Sequence, residues 1–445
     1  MAANSKIRPP KVTIKYFLEL VNNTFGALSK LAGPYPHIML GGVPFNRVYL
    51  INHPNIIQQI LQKNYKNYPK SDRYDVLALL LGNGLVTNGG DSWHKQRTMI
   101  QPAFHRETLK RIHDITVDST NELITAWKAK EGGEINFTRE MAGLTIDIVA
   151  KSLFTTDITN DNIQTVWHSI NYLNEAADRM IRGLIRIPAS VPIPRHVKMK
   201  KYIAELDAII YGIIDRRKQE KNPPHDLLQL LLEARYEDGT GMTDLQIRDE
   251  VMTIFVAGHE TTVNALSWTW FLLKQHASEE QKLKEESIRF ESINPSFEDI
   301  MQLAVGRNVM NESMRLYPPV PVVGRIPVQP DEAMGYHIPS KVQIAINIAG
   351  VHRHPAFWQN PNDFIPQRFN DFDMKGDNRF VFMPFGGGPR ICIGNNFAML
   401  EMQIINALLS ARVEMELVST NVKPKALITL KPGDGVLMKI KAVKI

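Results

Sequence analysis

Cys392 is the only cysteine in this 445-residue sequence. It lies in a glycine-rich segment, residues 385–394, that reads Phe-Gly-Gly-Gly-Pro-Arg-Ile-Cys-Ile-Gly. A lone cysteine cannot form an internal disulfide or a multi-cysteine zinc or iron–sulfur site. Free cysteines are common in protein cores, but a sulfur flanked by glycines and an arginine is not typical of a core strand. The pattern instead favours a loop that presents one thiolate, with its backbone amides, to a metal.

This segment resembles the haem-ligand loop of the cytochrome P450 family, Phe-x-x-Gly-x-Arg-x-Cys-x-Gly. The matching residues are Phe385, Gly388, Arg390, Cys392 and Gly394. The resemblance implies that Cys392 ligates the iron of haem b, that Phe385 packs near the sulfur and that Arg390 pairs with a haem propionate. A thiolate ligand favours O–O cleavage at haem iron. Gly388 and Gly394 are expected to bring the backbone close to the haem and to adopt angles that other residues resist.

Two helices are predicted to position this chemistry. Residues 395–409 follow the cysteine with apolar residues at helical spacing, and the N-terminus of that helix would stabilise the thiolate. A longer helix begins at the capping box Thr243-Asp-Leu-Gln246. Its apolar run continues to about Leu273, which gives a length of about 45 Å.

The middle of the long helix carries a second motif, residues 257–262, Ala-Gly-His-Glu-Thr-Thr. Glycine and threonine are poor helix formers, and a local rule broken at one place often marks a functional site. The motif resembles the family's oxygen-activation sequence. That resemblance implies that Ala257 lies beside dioxygen at the haem and that Glu260 and Thr261 deliver protons to it. His259 adds a polar group near the iron.

Three charged residues are predicted to form a structural network. Glu312-Ser-Met-Arg315 resembles the family's Glu-x-x-Arg pair, and the spacing puts both charges on one helical face. Residues 366–369 resemble the family's Pro-Glu-Arg-Phe, with glutamine in place of glutamate, and retain Arg368. The resemblance implies a buried Glu312–Arg315–Arg368 network beneath the haem loop, tolerable only if each charge is paired.

Other motifs provide candidates for the haem propionates. Trp93 and Arg97 resemble the family's Trp-x-x-x-Arg, and spacing of four puts both donors on one helical face. Arg325, which follows the Pro318-Pro319 break, is a third candidate. His352, in the sequence His-Arg-His-Pro, is a fourth.

Length and composition are consistent with a large folded protein, since 44% of the residues are hydrophobic. Residues from about 110 to 285 read almost wholly as helix. β-prone runs lie at about 35–60, at 342–346, at 426–430 and at 436–440, within a β-richer tail at about 420–445. The family resemblance implies one domain over residues 1–445, mainly α with small β-sheets (α+β), with the haem between the long helix and the cysteine loop.

The charge pattern limits the possible partners. A formal net charge of +6 is too mild to indicate a nucleic-acid-binding protein. The sequence has no run of eighteen apolar residues, and its first ten residues lack the apolar core of a signal peptide. We therefore expect a soluble, cytoplasmic monomer. One stretch is locally basic, and it is either a solvated helix face or a docking surface for an acidic electron carrier: His94, Lys95, Arg97, Arg106, Lys110 and Arg111.

The substrate is the least constrained feature. By analogy with the family, five apolar residues are expected to line the substrate pocket: Val320, Val322, Val323, Leu427 and Ile428. They favour a lipophilic substrate such as a fatty acid or terpenoid. The charges in residues 175–182 and His259 leave open a polar methoxy-bearing substrate, such as a methylated sugar, that undergoes oxidative O-demethylation.

The resemblance implies a monooxygenase that hydroxylates a small organic substrate with O2. Two electrons would come from NAD(P)H through a ferredoxin or flavodoxin and its reductase, because no flavin domain is recognisable in the chain. A peroxide-driven hydroxylase usually lacks the acid–alcohol pair that is present here at Glu260 and Thr261. The same pair argues against a non-catalytic haem-binding sensor or carrier.

Overall fold

The computed structural model describes residues 7–43, 46–183, 187–236, 239–374 and 376–444. The chain divides into two compact units. The first comprises Met1–Arg73, Asn311–Cys392 and Pro424–Lys431, and the second comprises Tyr74–Met310, Ile393–Lys423 and Pro432–Ile445. That residues 1–445 form one domain stays a prediction. Residues 1–6 belong to the N-terminal segment that lacks a signal-peptide pattern, and they lie outside the described ranges. The side chain of Arg106, in the basic stretch, also lies outside the described part of the chain.

Helices dominate the described chain, and the strands are short. The helices are α1 (Ile14–Asn22), α2 (Thr24–Leu31), α3 (Pro54–Gln58), α4 (Tyr74–Leu81), α5 (Gly90–Ile100), α6 (Arg106–Lys128), α7 (Phe137–Phe154), α8 (Asn160–Arg182), α9 (Pro194–Gln219), α10 (Leu227–Glu233), α11 (Asp244–Gln275), α12 (Ala277–Ser287), α13 (Phe297–Gln302), α14 (Ala304–Leu316), α15 (Ile348–Val351) and α16 (Asn395–Arg412). The strands are β1 (Ile38–Val43), β2 (Asn46–Ile51), β3 (Glu134–Asn136), β4 (Val322–Arg325), β5 (Asp331–Ala333), β6 (Tyr336–Ile338), β7 (Gln343–Asn347), β8 (Val413–Leu417), β9 (Pro424–Ala426), β10 (Leu430–Pro432) and β11 (Leu437–Val443). The predicted fold class, mainly α with small β-sheets, is confirmed.

The first unit is organised around a sheet of strand order β1-β2-β7-β4. Strands β2 and β7 pair in parallel, while the two outer pairs are antiparallel. Alternate residues such as Ile344 and Ile346 point into the core, as a half-buried strand requires. Ile56 and Ile57 of α3 pack into the same core, together with Phe380 and Met383. This core therefore underlies the segment that leads to Cys392.

The second unit is built around α11, which is 32 residues long and begins at the predicted capping box. The Thr243 N–H donates to Gln246 Oε1 over 2.8 Å, and the Gln246 N–H donates to Thr243 Oγ1 over 3.2 Å. The helix is held in an aromatic core, where the rings of Phe137 and Trp270 are 5.7 Å apart. The Trp270 Nε1–H donates to Asn406 Oδ1 on α16 over 2.9 Å. Strands β3, β11 and β8 form an antiparallel sheet in this unit.

One predicted strand is wrong. Residues 426–430 alternate in a β-like way, but β9 ends at Ala426 and β10 begins at Leu430. The Leu427 N–H donates to the Thr429 carbonyl over 2.9 Å, which closes a tight turn. In the described part of the chain, no helix is both long and apolar enough to cross a membrane.

Candidate haem-binding and oxygen-activation site

Cys392 lies at the end of a short, hydrogen-bonded loop in the first unit, residues 385–392, and its side chain is exposed. The Cys392 N–H donates to the Phe385 carbonyl over 3.0 Å, which closes this cysteine loop on itself. Gly388 has a φ of +68°, and a Cβ at this position would overlap the carbonyl oxygen of Leu61. Only glycine tolerates both conditions. The loop is therefore fixed by its own backbone and by close contact with the chain at Leu61.

The other predicted residues of this segment have ordinary backbones. Phe385 and Arg390 are half-buried. Gly394 has a φ of −90°, which any residue can adopt. A Cβ at Gly394 would make only an ordinary contact, 3.7 Å from the Phe104 ring. The prediction of special backbone angles thus holds for Gly388 and is wrong for Gly394, whose cofactor-binding role stays a prediction.

The structure joins the three predicted network charges in the first unit. Arg315 Nε donates to Glu312 Oε2 over 2.7 Å, and Arg368 Nε donates to Glu312 Oε1 over 3.0 Å. Arg315 also donates to backbone carbonyls of residues 352, 361 and 363. Glu312 and Arg315 are fully buried, so these bonds offset the cost of burying charge. Gln367, the departure from the family pattern, is exposed.

The middle of α11 is more exposed than the residues on either side of it. From residue 247 to residue 273, every residue is buried except four. These four half-exposed residues are Ala257, Gly258, Glu260 and Thr261. A window in an otherwise buried helix thus coincides with the predicted oxygen-activation motif. Gly258 has a further role, because a Cβ there would lie 3.3 Å from Val149 Cγ2 on α7.

Two residues in this window carry the predicted acid–alcohol pair. The Thr261 hydroxyl donates to the Ala257 carbonyl over 2.8 Å. Glu260 Oε1 accepts a hydrogen bond from the side-chain amide of Asn174, which is buried on α8. Sequence reasoning missed Asn174, since nothing in the sequence pairs α8 with α11. A neutral amide therefore holds the carboxyl in place.

Two buried groups, one on α11 and one on α16, have shifted pKa values. His259 is 1% exposed, and burial lowers its pKa to about 4. It lies outside the half-exposed window, so the structure gives its predicted place in the pocket no support. Glu401 on α16 is fully buried beside the Thr262 hydroxyl, which itself donates to the Gly258 carbonyl over 3.1 Å. Burial raises the pKa of Glu401 well above its usual value. Sequence reasoning missed Glu401 as well.

The propionate candidates have different surroundings. Trp93 is buried on α5, and the Arg97 guanidinium lies 5.8 Å from its ring centre, so the two share a helix face. Arg325 is largely buried on β4 and donates to the Gly324 carbonyl over 2.7 Å. Both ring nitrogens of His352 are bonded within the protein, to Met314 and Met383. The prediction that His352 contacts a propionate is therefore wrong.

The predicted pocket residues of the first unit are neighbours. Val320, Val322, Val323, Leu427 and Ile428 are all half-buried. The Leu430 N–H donates to the Pro319 carbonyl over 2.8 Å, which brings the two segments side by side. The structure therefore brings two distant parts of the sequence side by side, but Val322 and Val323 point to opposite faces of β4 and pack against different cores.

The charges in residues 175–182 pair along α8. Arg182 Nε lies 2.6 Å from Asp178 Oδ1, and Arg179 Nη2 lies 3.7 Å from Glu175 Oε2. Pairs spaced by four residues are an ordinary feature of a helix surface. These charges therefore give no specific support to a polar substrate.

The basic stretch does not form one uniform surface. Lys95 and Lys110 are exposed, and Lys110 is only 4.0 Å from Glu298. Arg111 instead donates to the Ser152 carbonyl and to Thr155 Oγ1, at the C-terminal end of α7. Arg111 thus has a structural role that the sequence did not reveal.

Comparison with known proteins identifies the family. The family model described as "Cytochrome P450" matches residues 9–445. Cyclooctatin synthase of Streptomyces melanosporofaciens is 31% identical over 90% of this chain and 87% of its own length. Cyclooctat-9-en-7-ol 5-monooxygenase of the same organism is 30% identical over 82% of this chain and 80% of its own. Carotene epsilon-monooxygenase of Arabidopsis thaliana is 31% identical over 91% and 79%. The chain therefore belongs to the cytochrome P450 family and is a monooxygenase with a haem cofactor.

Proposed function

We propose that this protein is a haem b monooxygenase in which Cys392 is the iron ligand. The observation that carries the proposal is the exposed Cys392 thiol at the end of a loop fixed by Gly388. A thiolate is the donor that haem iron requires in this family, and no second cysteine exists in the chain. Four further residues are proposed to contact the porphyrin or its propionates: Trp93, Arg97, Arg325 and Arg390. Phe385 and Gly394 would border it on the side of the sulfur.

Bound haem supplies the oxidising chemistry, which activates dioxygen with two electrons and inserts one oxygen atom into the substrate. The chain's own residues handle the protons. We propose that the Thr261 hydroxyl releases the Ala257 carbonyl and donates its proton towards dioxygen. Glu260 then returns a proton to the Thr261 oxygen. The Asn174 amide supports this role, because it orients the Glu260 carboxyl without adding a competing charge.

The substrate is proposed to be lipophilic, in the terpenoid or fatty-acid class. The apolar character of the residues predicted to line the pocket, in the adjacent segments 320–323 and 427–428, supports this class. So do the names of the relatives, which refer to cyclooctat-9-en-7-ol and to carotene. Oxidative demethylation of a methylated sugar has less support, because the charges on α8 pair with each other.

Electrons are proposed to come from NAD(P)H through a ferredoxin or flavodoxin and its reductase. The exposed Lys95 and Lys110 support an acidic carrier. A non-catalytic sensor would have no use for an acid and an alcohol side by side in the α11 window. We further propose that the protein acts as a cytoplasmic monomer.

A ligand screen tests the substrate class. The purified haem-bound protein is titrated with diterpene alcohols, fatty acids and methylated monosaccharides, and the shift of the iron spin state is recorded. We expect the first two groups to shift it and the sugars to leave it unchanged. Turnover with NAD(P)H, ferredoxin and reductase must then yield a hydroxylated product. A spin shift with sugars alone would contradict the lipophilic assignment, and haem binding without turnover would favour a sensor.

A further inference from the structure

His352 is fully buried in the first unit and makes two ring hydrogen bonds of fixed direction. The Met383 N–H donates to Nε2 over 2.9 Å. Because an amide N–H can only donate, Nε2 carries no proton. Nδ1 therefore carries it and donates to the Met314 carbonyl over 3.3 Å. Burial lowers the pKa of His352 to about 3, so the ring stays neutral in this single tautomer at ordinary pH.

Met383 is the residue from which the cysteine loop leaves the core. Its side chain is 2% exposed and packs in the same apolar cluster as Ile60 and Leu61. Its carbonyl accepts a hydrogen bond from the Gly386 N–H over 3.0 Å. His352 thus holds the amide of a residue whose side chain and carbonyl are also fixed.

His352 is itself attached to the buried charge network. Arg315 Nη1 donates to the His352 carbonyl over 2.8 Å, and the same guanidinium is paired with Glu312. A continuous series of bonds therefore runs from Glu312 through Arg315 and His352 to Met383.

We propose that His352 is the positioning residue of the cysteine loop, with Nε2 holding the Met383 amide and hence the start of the loop. The effect on the haem rests on the proposed function, in which Cys392 is the iron ligand. The effect on the order of the loop does not. The alternative is that the His352 ring only fills space in the core, since it also packs 5.2 Å from the Phe382 ring.

Three substitutions separate these roles. In His352→Gln, Oε1 stands where Nε2 stood and can still accept from Met383. In His352→Asn, Nδ2 stands where Nδ1 stood, so only the bond to Met314 survives. His352→Phe keeps a ring and loses both bonds. The control is His354→Gln, because His354 is also buried but bonds to Pro36 and Ala356.

The measurement is hydrogen exchange of residues 383–392 by mass spectrometry on the haem-bound protein. We expect exchange like the wild type in the Gln variant and the control. Exchange should rise roughly tenfold in the Asn and Phe variants, since a buried amide loses its acceptor. The thiolate-type spectrum of the ferrous–carbon monoxide complex should weaken in the same two variants.

Equal exchange in the Gln and Asn variants, or wild-type exchange in the Phe variant, would overturn the proposal. Failure of the proposed function has a different signature. In that case the unmodified protein lacks the thiolate-type spectrum, whatever the order of exchange rates among the variants.

Discussion

Thr261 and Thr262 are adjacent on α11 and make the same backbone bond, yet only Thr261 is proposed to donate a proton. Each hydroxyl donates to the carbonyl four residues earlier, over 2.8 Å and 3.1 Å. Thr261 is half-exposed in the window, whereas Thr262 is 1% exposed and lies beside Glu401. The two residues therefore provide a matched comparison between the proposed proton donor and a core residue.

Thr261→Ala is expected to leave haem content unchanged and to slow oxygenation by about 10²-fold, at the lower end of what a positioned acid contributes. Electrons would then be lost as hydrogen peroxide. The measurement is product and peroxide formed per NAD(P)H oxidised with redox partners present. Thr262→Ala is the control and should keep the wild-type ratio. An unchanged ratio in Thr261→Ala would exclude Thr261 from proton delivery.

Helix α16 carries a buried acid, Glu401, that affects the stability of the protein whether or not it takes part in catalysis. Glu401 is fully buried beside the Thr262 hydroxyl, and burial raises its pKa. The folded protein therefore keeps a proton that the unfolded chain loses above its usual pKa of 4.5. Because the folded state binds more protons in that range, the free energy of unfolding falls as pH rises.

Glu401→Gln removes this titration while keeping the shape of the side chain. We expect the variant to gain stability relative to the wild type as pH rises from 5 to 7, by up to about 1.4 kcal/mol per unit. Urea unfolding at several pH values measures the difference. Glu416→Gln is the control, since Glu416 is exposed and paired with Lys441. A stability difference independent of pH would mean that Glu401 is ionised in the folded protein.

Elements with strong local signals were predictable from the sequence. The capping box at Thr243 placed the start of α11, and the apolar spacing after Cys392 predicted α16, which extends to Arg412. The strand expected at residues 426–430 failed because a turn bond between Leu427 and Thr429 overrides the alternation. Local pattern cannot reveal a turn that closes within an apolar run.

Contacts between distant elements were not predictable. Asn174 lies 86 residues before Glu260. Arg111 looked like a surface charge, but it donates to carbonyl and hydroxyl groups at the end of α7. The sequence motif suggests a propionate contact for His352, but its ring nitrogens are bonded to Met314 and Met383. These two bonds form only on folding, so the sequence does not reveal them. The family motifs predicted residue types at the site, whereas packing decides their partners.

If the exposed basic residues of the second unit bind an acidic electron carrier, the rate of electron transfer should depend on salt. Lys95→Glu and Lys110→Glu are expected to slow reduction by an acidic ferredoxin roughly tenfold at low salt, through loss of electrostatic steering. The effect should shrink above 0.1 M salt, where the Debye length is about 10 Å or less. Stopped-flow reduction across a salt series measures it.

Lys200→Glu, an exposed charge on α9, is the matched control for that experiment. Arg111 is avoided, because its structural bonds would confound the result. If the reduction rate changes neither with salt nor with the two substitutions, these lysines are only part of a solvated helix face.

Two buried neutral histidines make the protein less stable as the pH falls. The pKa values of His259 and His352 are lowered from 6.5 to about 4 and about 3, mainly by burial. Below pH 6.5 the unfolded chain takes up protons that the folded protein refuses, so the free energy of unfolding falls as pH falls. Each contributes up to about 1.4 kcal/mol per pH unit. Urea unfolding between pH 6.5 and 4 should show a shallower slope for His352→Gln than for the wild type, and equal slopes would contradict the assignment.

Every step proposed for this protein depends on Cys392 as the ligand of the haem iron. The most direct test is the ferrous–carbon monoxide spectrum of Cys392→Ser beside that of the unmodified protein, with circular dichroism to verify equal helix content. We expect a thiolate-type spectrum for the unmodified protein and its complete loss in the variant, because no other cysteine exists in the chain. A thiolate-type spectrum that survives in Cys392→Ser, or that is absent from the unmodified protein, would show that Cys392 is not the iron ligand.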